Sequence, residues 1–543
     1  MVSGSDCHGT PITLKAEADG VAPQEVIRRY HESFLKTFQT LGITFDLFTQ
    51  TYTANHYAAT TDFFVRLLDR GYIYKERMTG SYSESLGRFL PDRFVEGVCP
   101  NCGFTSARGD QCDSCGKLHE PYELVNPRSK LDGAPVTFRE TEHYFLDLAK
   151  IEPELKRWLS DSDHSYWRRN ALVFTENWLR EGLHGRAITR DLEWGVPVPV
   201  ESENFKDKRI YVWFDAVIGY LSASIEWANR VKSPESWRDW WEDPAARAYY
   251  FIGKDNIPFH SIIWPAMLIG YGGRTLPYDI PANEFLNLEG EKMSTSRNWA
   301  LWAHDIEQRY APDELRYYLA ANAPESRDSN WSWKDFIRRN NDELVATWGN
   351  LANRVLSIAY REFKSVPRPL QLIESDLELI SAGKAAFDAI GSHLDAVRLK
   401  TALQETLALA QRANRYISEQ EPWKLLKIDR TRAEAVLYTG LQIVDYLKTL
   451  FSPFLPFSSQ VLHETLGFSG TLAPQPIVDS AVDLNGQNRN LLTGNYENDA
   501  RWVPGELPAG QPLREPQPLF TKLDQSVADA EIRRLGETPL RQR

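Results

Sequence analysis

IYVWFDA (residues 210–216) and AYYFIG (residues 248–253) are the two runs on which the reading of the fold turns. Each is short, apolar and rich in aromatic or β-branched residues, the composition of a buried strand. The stretch between them from Val217 to Arg230 reads as helical. Strand, helix, strand implies a βαβ unit in a parallel sheet, and hence an α/β fold.

Working outward, the chain opens MVSGSDCHGTPITLKA, where Gly4 to Pro11 are turn and cap residues. They lead from the edge of a strand into a helix-like stretch that ends near Asp19-Gly20. From Gly9 to about Gly71 the pattern is helical, with Phe34, Leu35, Phe38 and Leu41 at three-and-four spacing. Residues 80–140 are rich in Gly, Pro, Asp and Cys and read as short strands and turns around a small centre. Beyond about Asn340 three apolar stripes imply a helical bundle. They are Leu344, Trp348, Leu351, Val355 and Ile358; Leu399, Leu403, Leu407 and Ala410; and Leu437, Leu441, Val444 and Leu447. From Phe468 to Pro518 Gly, Pro and Asn dominate, which reads as a surface loop or tail before a short charged helix near Ala528 to Gly536.

At 543 residues the chain needs two to four domains, and 42% hydrophobic with 25% charged residues is an ordinary globular balance. A net charge of −12 argues against coating nucleic acid through bulk electrostatics, although a local basic face could still bind it. Lys334, Arg338, Arg339, Arg361, Lys364 and Arg368 offer such a face. No run approaches the roughly 18 apolar residues of a membrane span, and the N-terminus lacks the regions of a signal peptide. The expected compartment is the cytoplasm, with no membrane partner.

Four of the five cysteines, Cys99, Cys102, Cys112 and Cys115, form two C-x-x-C pairs in CPNCGFTSARGDQCDSC. Two residues between thiolates let both sulfurs of a knuckle face one tetrahedral ion, and Gly103 and Gly116 follow each pair where a tight turn needs a positive φ. The expectation is one structural zinc, since four ligands leave no open position. Two disulfides are the alternative, and they would need an oxidising compartment. A second segment, LNLEGEKMSTSRN, places Lys292, Ser294, Thr295 and Ser296 after a strand-like run (Phe285 to Leu288) and a Glu-Gly turn. Such a loop can offer a cation and several hydroxyls to phosphate oxygens, although most such clusters are ordinary solvated loops.

The KMSTS stretch resembles the KMSKS signature of class I aminoacyl-tRNA synthetases. SDCHGTPITLKA, the cysteine knuckle, ITRDLEWGVPVP (188–199), YVWFDAVIGY (211–220) and FIGKDNIPFHSIIWPA (251–266) are similar to segments of one branch, the methionyl-tRNA synthetases of the four-cysteine, single-knuckle type. The resemblance runs from Ser5 to at least Trp423. It implies an ATP-dependent ligase that forms methionyl-adenylate and transfers methionine to the terminal ribose of its tRNA. The substrates implied are methionine, ATP with Mg²⁺, and tRNA(Met).

Carried onto this sequence, the resemblance gives Asp6 to the substrate amino group and Trp213, Ala216, Tyr220 and His260 to the methionine side chain. Val217 and Asn256 stand at pocket positions that vary among relatives. Gly253, Lys254 and Asp255 approach the adenosine, and Lys292, Ser294, Thr295 and Ser296 act in catalysis, with Lys292 and Thr295 on ATP. Asn350, Arg354 and Trp423 read the anticodon, and the four knuckle cysteines hold zinc. Without the family context, the pocket aromatics read as ordinary core and Trp423 as a helix-end staple.

The organisation implied is a Rossmann-like catalytic domain begun by residues 1–75, a connective insertion over 76–200 with the knuckle at 99–115, and the second catalytic half over 201–290. Residues 291–340 carry the KMSKS-type loop and stem-contact region, 341–467 an all-α anticodon-binding domain, and 468–543 a tail packed on the surface of a monomer. A large editing insertion has no room between Tyr72 and Arg190. The class signature His-x-Gly-His does not occur in these 543 residues. A second expectation is therefore a catalytic domain without its first strand and helix, Met1 being an internal start, or a noncatalytic tRNA-binding relative.

Overall fold

Val2–Ser5 forms strand β1, and the turn residues after it lead into helix α1 (Thr10–Asp19). Pro11 sits in the first turn, where its missing N–H costs nothing, and Gly20 closes the helix at φ 65°. The computed structural model describes residues 1–109, 112, 119–294, 298–494 and 501–535. They divide into two units. The first comprises Met1–Leu35, Phe45–Ile280 and Val478–Thr493, and the second comprises Lys36–Thr44, Pro281–Ile477 and Gly494–Arg543.

The chain runs from β1 through α1 and α2 (Pro23–Thr40) to β2 (Leu47–Gln50), which pairs with β1 in parallel within the first unit from Val2↔Leu47 to Ser5↔Gln50. This is a βαβ unit, found nearer the N-terminus than the sequence reading put it. Gly4 is required here, because a Cβ would stand 3.0 Å from the carbonyl carbon and oxygen of Thr49. The helical reading of residues 9–71 therefore omits β2; helix α3 (Ala54–Asp69) then resumes it, with the Thr53 hydroxyl capping the His56 amide.

IYVWFDA is not a strand. Only Arg209–Ile210 forms a strand, and the helix Val212–Arg230 starts five residues before Val217. Its residues Val212, Phe214, Val217, Ile218 and Leu221 are buried on several faces, so it carries the composition of a buried strand without its period. AYYFIG divides into two short strands, Ala248–Tyr249 and Ile252–Gly253.

The loop reading of 468–518 also gives way in part. Ile477–Val482 and Asn488–Thr493 are strands, and the sheet order is β1, β2, Asn488–Thr493, Ile477–Val482. The third strand is antiparallel to β2, with Leu492↔Phe48 and Thr493↔Leu47 in register. Arg489 fixes it there: its guanidinium donates to Glu226 (2.5 Å), to the Thr49 hydroxyl (2.8 Å) and to the Val482 carbonyl (3.1 Å). The Thr49 hydroxyl in turn donates a hydrogen bond to Glu226 at 2.7 Å. His31 donates to the Asn490 carbonyl and accepts from Ser5, and burial holds it below the usual imidazole value, so it serves as a neutral link.

The inserted segment is built on two long antiparallel strands, Ile73–Ser83 and Val136–Leu146, paired along their full length. Beside them Val95–Val98, Ala107–Arg108 and Val125–Ser129 form a three-stranded sheet over a small core of Leu90, Phe94, Val95, Cys99, Ala107, Cys112, Leu124 and Val136.

In the second unit Leu286–Leu288 pairs in parallel with Ser329–Trp331 over an aromatic core that includes Tyr310, Tyr318, Trp331, Trp333 and Phe336. The helical bundle follows, and its main core contains Leu344, Trp348, Leu351, Val355, Leu403, Leu441, Val444 and Leu447. Burying each such side chain contributes roughly 1.5–3 kcal/mol. No helix among the described residues is long and apolar enough to cross a membrane.

Candidate functional site

A cavity of about 200 Å³ opens in the first unit between β1, β2, the helix Val212–Arg230 and the turn Phe259–Ile263. Asp6, Trp213, Ala216, Tyr220 and His260 all line it, as do Val217 and Asn256. The helix explains the grouping: Trp213, Ala216, Val217 and Tyr220 are spaced i, i+3, i+4, i+7 and share one face, which a strand would have split. Gln50, Thr49, Thr51, Gly4 and Phe259 also line the cavity, and sequence reasoning missed them. Four of these five lie on or beside the paired strands β1 and β2, so recognising β2 would have found them.

His260 stands on a π-helical turn, Phe259–Ile263, a widening that projects its ring into the cavity. Its Nδ1–H donates to the Asn256 carbonyl at 3.0 Å, so Nε2 accepts from the Tyr220 hydroxyl at 2.8 Å. Burial pushes His260 below the usual imidazole value and Tyr220 up to about 12, so this end of the cavity is polar but uncharged. Trp213 stacks on Phe259 with centroids 4.0 Å apart and planes 11° from parallel, giving an aromatic wall suited to a polarisable thioether.

Asp6 brings charge to the same cavity. The Asp6 residue is exposed to solvent and lines the cavity beside Thr51 and Tyr220. Burial, then repulsion from Asp215, raises its carboxyl to about 6.

A larger open cavity of about 710 Å³ lies between α1 and residues 82–94 and 191–194. It contains none of the expected substrate residues, and Arg88 spans it in ion pairs with Glu17 (2.8 Å) and Glu193 (3.7 Å).

The other expected groups fall elsewhere. Gly253 precedes a single turn, Lys254–Asn256, and a Cβ at Gly253 would stand 2.7 Å from an Asp255 carboxylate oxygen. Lys292 and Ser294 follow Leu286–Leu288 and the Glu289-Gly290 turn, where both residues have positive φ. Ser294 and Trp299 exchange backbone hydrogen bonds at 2.8 and 2.9 Å, and the Lys292 ammonium lies 5.6 Å from the Phe285 ring centre. Thr295 and Ser296 lie outside the described residues.

Asn350 and Arg354 lie together in an open groove with Gln411, Asn414, Arg415 and Ser418. Arg354 stands 4.9 Å over the Trp423 ring and donates to Ser418 at 3.2 Å. The proposed basic face is partly neutralised: Arg338 and Arg339 pair with Asp335, and Arg361 with Glu362.

Three knuckle sulfurs, of Cys99, Cys102 and Cys112, lie within 4.8 Å of one another, and Cys115 lies outside the described residues. Cys102 and Cys112 are 3.6 Å apart, far beyond the roughly 2.05 Å of a disulfide. Burial opposes ionisation of Cys99, but hydrogen bonds from the Cys102 and Asn101 amides and from neighbouring thiols outweigh it and lower its thiol. Gly103 takes the positive φ, 75°, that the knuckle turn requires. The donor set fits a soft tetrahedral ion.

Comparison with known proteins then decides the family. A profile described as "tRNA synthetases class I (M)" matches residues 1–356, and one described as "Anticodon binding domain of methionyl tRNA ligase" matches residues 366–538. The chain belongs to the methionyl-tRNA synthetases. A methionine–tRNA ligase of Roseiflexus sp. (strain RS-1) is 67% identical over 541 residues, covering 98% of this chain and 91% of that protein. One from Chloroflexus aurantiacus is 50% identical over 553 residues, covering 98% and 92%. The structure of a Mycobacterium tuberculosis methionyl-tRNA synthetase in complex with methionyl-adenylate matches with a TM-score of 0.75 at 26% identity, covering 96% of this chain and 91% of that one. The expected class I catalytic fold and all-α anticodon-binding domain are those of the methionyl-tRNA synthetases.

Proposed function

We propose that the chain activates methionine with ATP to methionyl-adenylate, releasing pyrophosphate, and transfers the methionyl group to the terminal ribose of tRNA(Met). The observation that carries the methionine reading is one small cavity lined by the uncharged Tyr220–His260 pair, the stacked Trp213–Phe259 wall and the Asp6 carboxylate. Methionine has that polarity, with an apolar sulfur-bearing chain at one end and an ammonium at the other. The aromatic wall would bind the thioether, and Asp6 would hold the ammonium by a charge-assisted hydrogen bond. Gly253, Lys254 and Asp255 would meet the adenosine, and the Lys292 ammonium would take up charge developing on the pyrophosphate.

Cys99, Cys102, Cys112 and Cys115 would hold one zinc ion, which braces the knuckle and stays out of the chemistry. Thiolates in that role call for a reducing compartment, in line with the cytoplasm. Metal analysis of the natively purified chain should give one zinc, lost in Cys112→Ser and kept in Cys7→Ser. A metal-free wild type would refute the site.

The arrangement of Arg354 over Trp423 supports a stacking site for an unpaired anticodon base. Base stacking is worth about 1–3 kcal/mol, so Trp423→Ala should lower kcat/KM for tRNA charging by about 5- to 150-fold. Methionine-dependent ATP–pyrophosphate exchange should stay within about twofold. Equal loss in both reactions would count against the anticodon role.

A further inference from the structure

Trp423 follows a turn of unusual backbone. The helix Leu399–Gln420 ends and the helix Pro422–Ile428 begins on one shared residue, Glu421, which is left-handed at φ 44° and ψ 56°. Its N–H donates to the Ile417 carbonyl at 3.1 Å and closes the first helix, while its carbonyl accepts from the Lys424 and Leu425 amides at 2.8 and 3.1 Å and opens the second. A left-handed residue at a helix end is ordinarily Gly or Asn, because a Cβ is disfavoured there. Pro422 adds a second restriction, since the residue before a proline is kept out of the right-handed helical region and the first helix cannot run on. The Glu421 side chain offsets little of this: it pairs with Lys424 at 2.7 Å, but the two are 40% and 64% accessible, and such surface pairs contribute little.

The chain on either side of the turn is fixed independently. Arg432 holds the last turn of the first helix, donating to Gln420 at 2.8 Å and to both oxygens of the fully buried Asp376 carboxylate at 2.5 and 2.7 Å. Tyr416 donates to the same carboxylate at 2.5 Å. Arg354 is tied to that helix through Ser418. Beyond the turn, Trp423 and Leu425 pack on the bundle core. Arg354 thus takes its place from one side of Glu421 and Trp423 from the other, so the 4.9 Å between guanidinium and ring is set where the two helices join.

We propose that Glu421 is the positioning residue for Trp423: its left-handed backbone turns the chain so that the indole is held against Arg354 in the geometry that takes up an unpaired base. The inference deepens the stacking role of Trp423 and rests on it.

Backbone and side chain can be separated. Glu421→Gly and Glu421→Val both remove the carboxylate and the Lys424 pair, but Gly enters the left-handed region freely and a β-branched residue is nearly excluded from it. Glu421→Gly should therefore keep the KM for tRNA(Met) within about twofold of the wild type. Glu421→Val should raise that KM by about fivefold or more, the lower bound for a lost stack, with kcat and methionine-dependent ATP–pyrophosphate exchange within about twofold.

The test is KM and kcat for tRNA charging by the full chain, for both variants and again on a Trp423→Ala background. If Glu421 acts through the indole, Glu421→Val adds less than about twofold once Trp423 is gone, whereas a merely loosened bundle suffers as much on either background. Equal defects in Glu421→Gly and Glu421→Val, a Glu421→Val enzyme as good as the wild type, an effect undiminished by Trp423→Ala, or an equal fall in exchange overturns the inference. Trp423→Ala alone is the separate arm. If it is harmless, the stacking role falls and the inference with it; if it is damaging while Glu421→Val is not, the inference alone falls.

Discussion

Lys292→Ala is expected to slow methionyl-adenylate formation by about 10²- to 10³-fold, the usual effect of removing one fixed donor from a developing anion. The KM for methionine should stay within about twofold, because the lost contact would act only in the transition state. The loop is set for such a role by its turn: Glu289 at φ 48° and Gly290 at φ 85° reverse the chain directly after the strand, and Gly290 donates to Asn330 at 2.6 Å. Lys292 therefore leaves a well-anchored strand end, Leu286–Leu288, instead of a long free loop. Single-turnover formation of methionyl-adenylate at saturating ATP is the measurement. A defect confined to the KM for methionine, or a variant as fast as the wild type, would remove Lys292 from the reaction.

Arg489→Met is expected to destabilise the first unit by about 3–5 kcal/mol, the cost of leaving a buried partner charge uncompensated. The Arg489 and Glu226 side chains are only 7% and 13% accessible, and Thr49 ties both into one network. Arg77 and Glu140 also pair, but at 74% and 73% accessibility, so Arg77→Ala should cost less than about 1 kcal/mol. Urea unfolding reports both variants. The double variant Arg489→Met with Glu226→Gln should recover much of the loss, since no charge is then stranded. If Arg489→Met costs no more than Arg77→Ala, the hairpin does not depend on this network.

How much was legible in the sequence depended on whether a signal was local. Helix α1 could be read because Pro11 and Gly20 mark its ends by backbone constraints of their own. The bundle could be read because its helices carry period-3.6 stripes. The run IYVWFDA was misread as a strand because a helix buried on several faces has no polar side to betray its period. That error hid why Trp213 and Ala216 belong together, although both had been assigned by resemblance. Strand β2 was invisible for the opposite reason: Leu47–Gln50 is buried throughout, yet half of it is polar, and Thr49 is satisfied by Glu226 and Arg489 far away in sequence. The hairpin did leave a local sign, Asn485-Gly486 between two strand-length runs, with Gly486 at φ 75°. His8, His56 and Asp215, whose side-chain nitrogen and oxygen atoms lie within 4.8 Å of one another, left none, since only the fold brings them together.

Thr49 and Arg489 are 440 residues apart. At about 5–20 residues per second of synthesis, roughly 20 to 90 s pass between the two leaving the ribosome. Throughout that interval β2 has an open edge, while the whole helical bundle is made and can fold. The last pairing of the first sheet is thus a late event in the life of the nascent chain, and its timing is set by translation more than by the sheet's own folding rate.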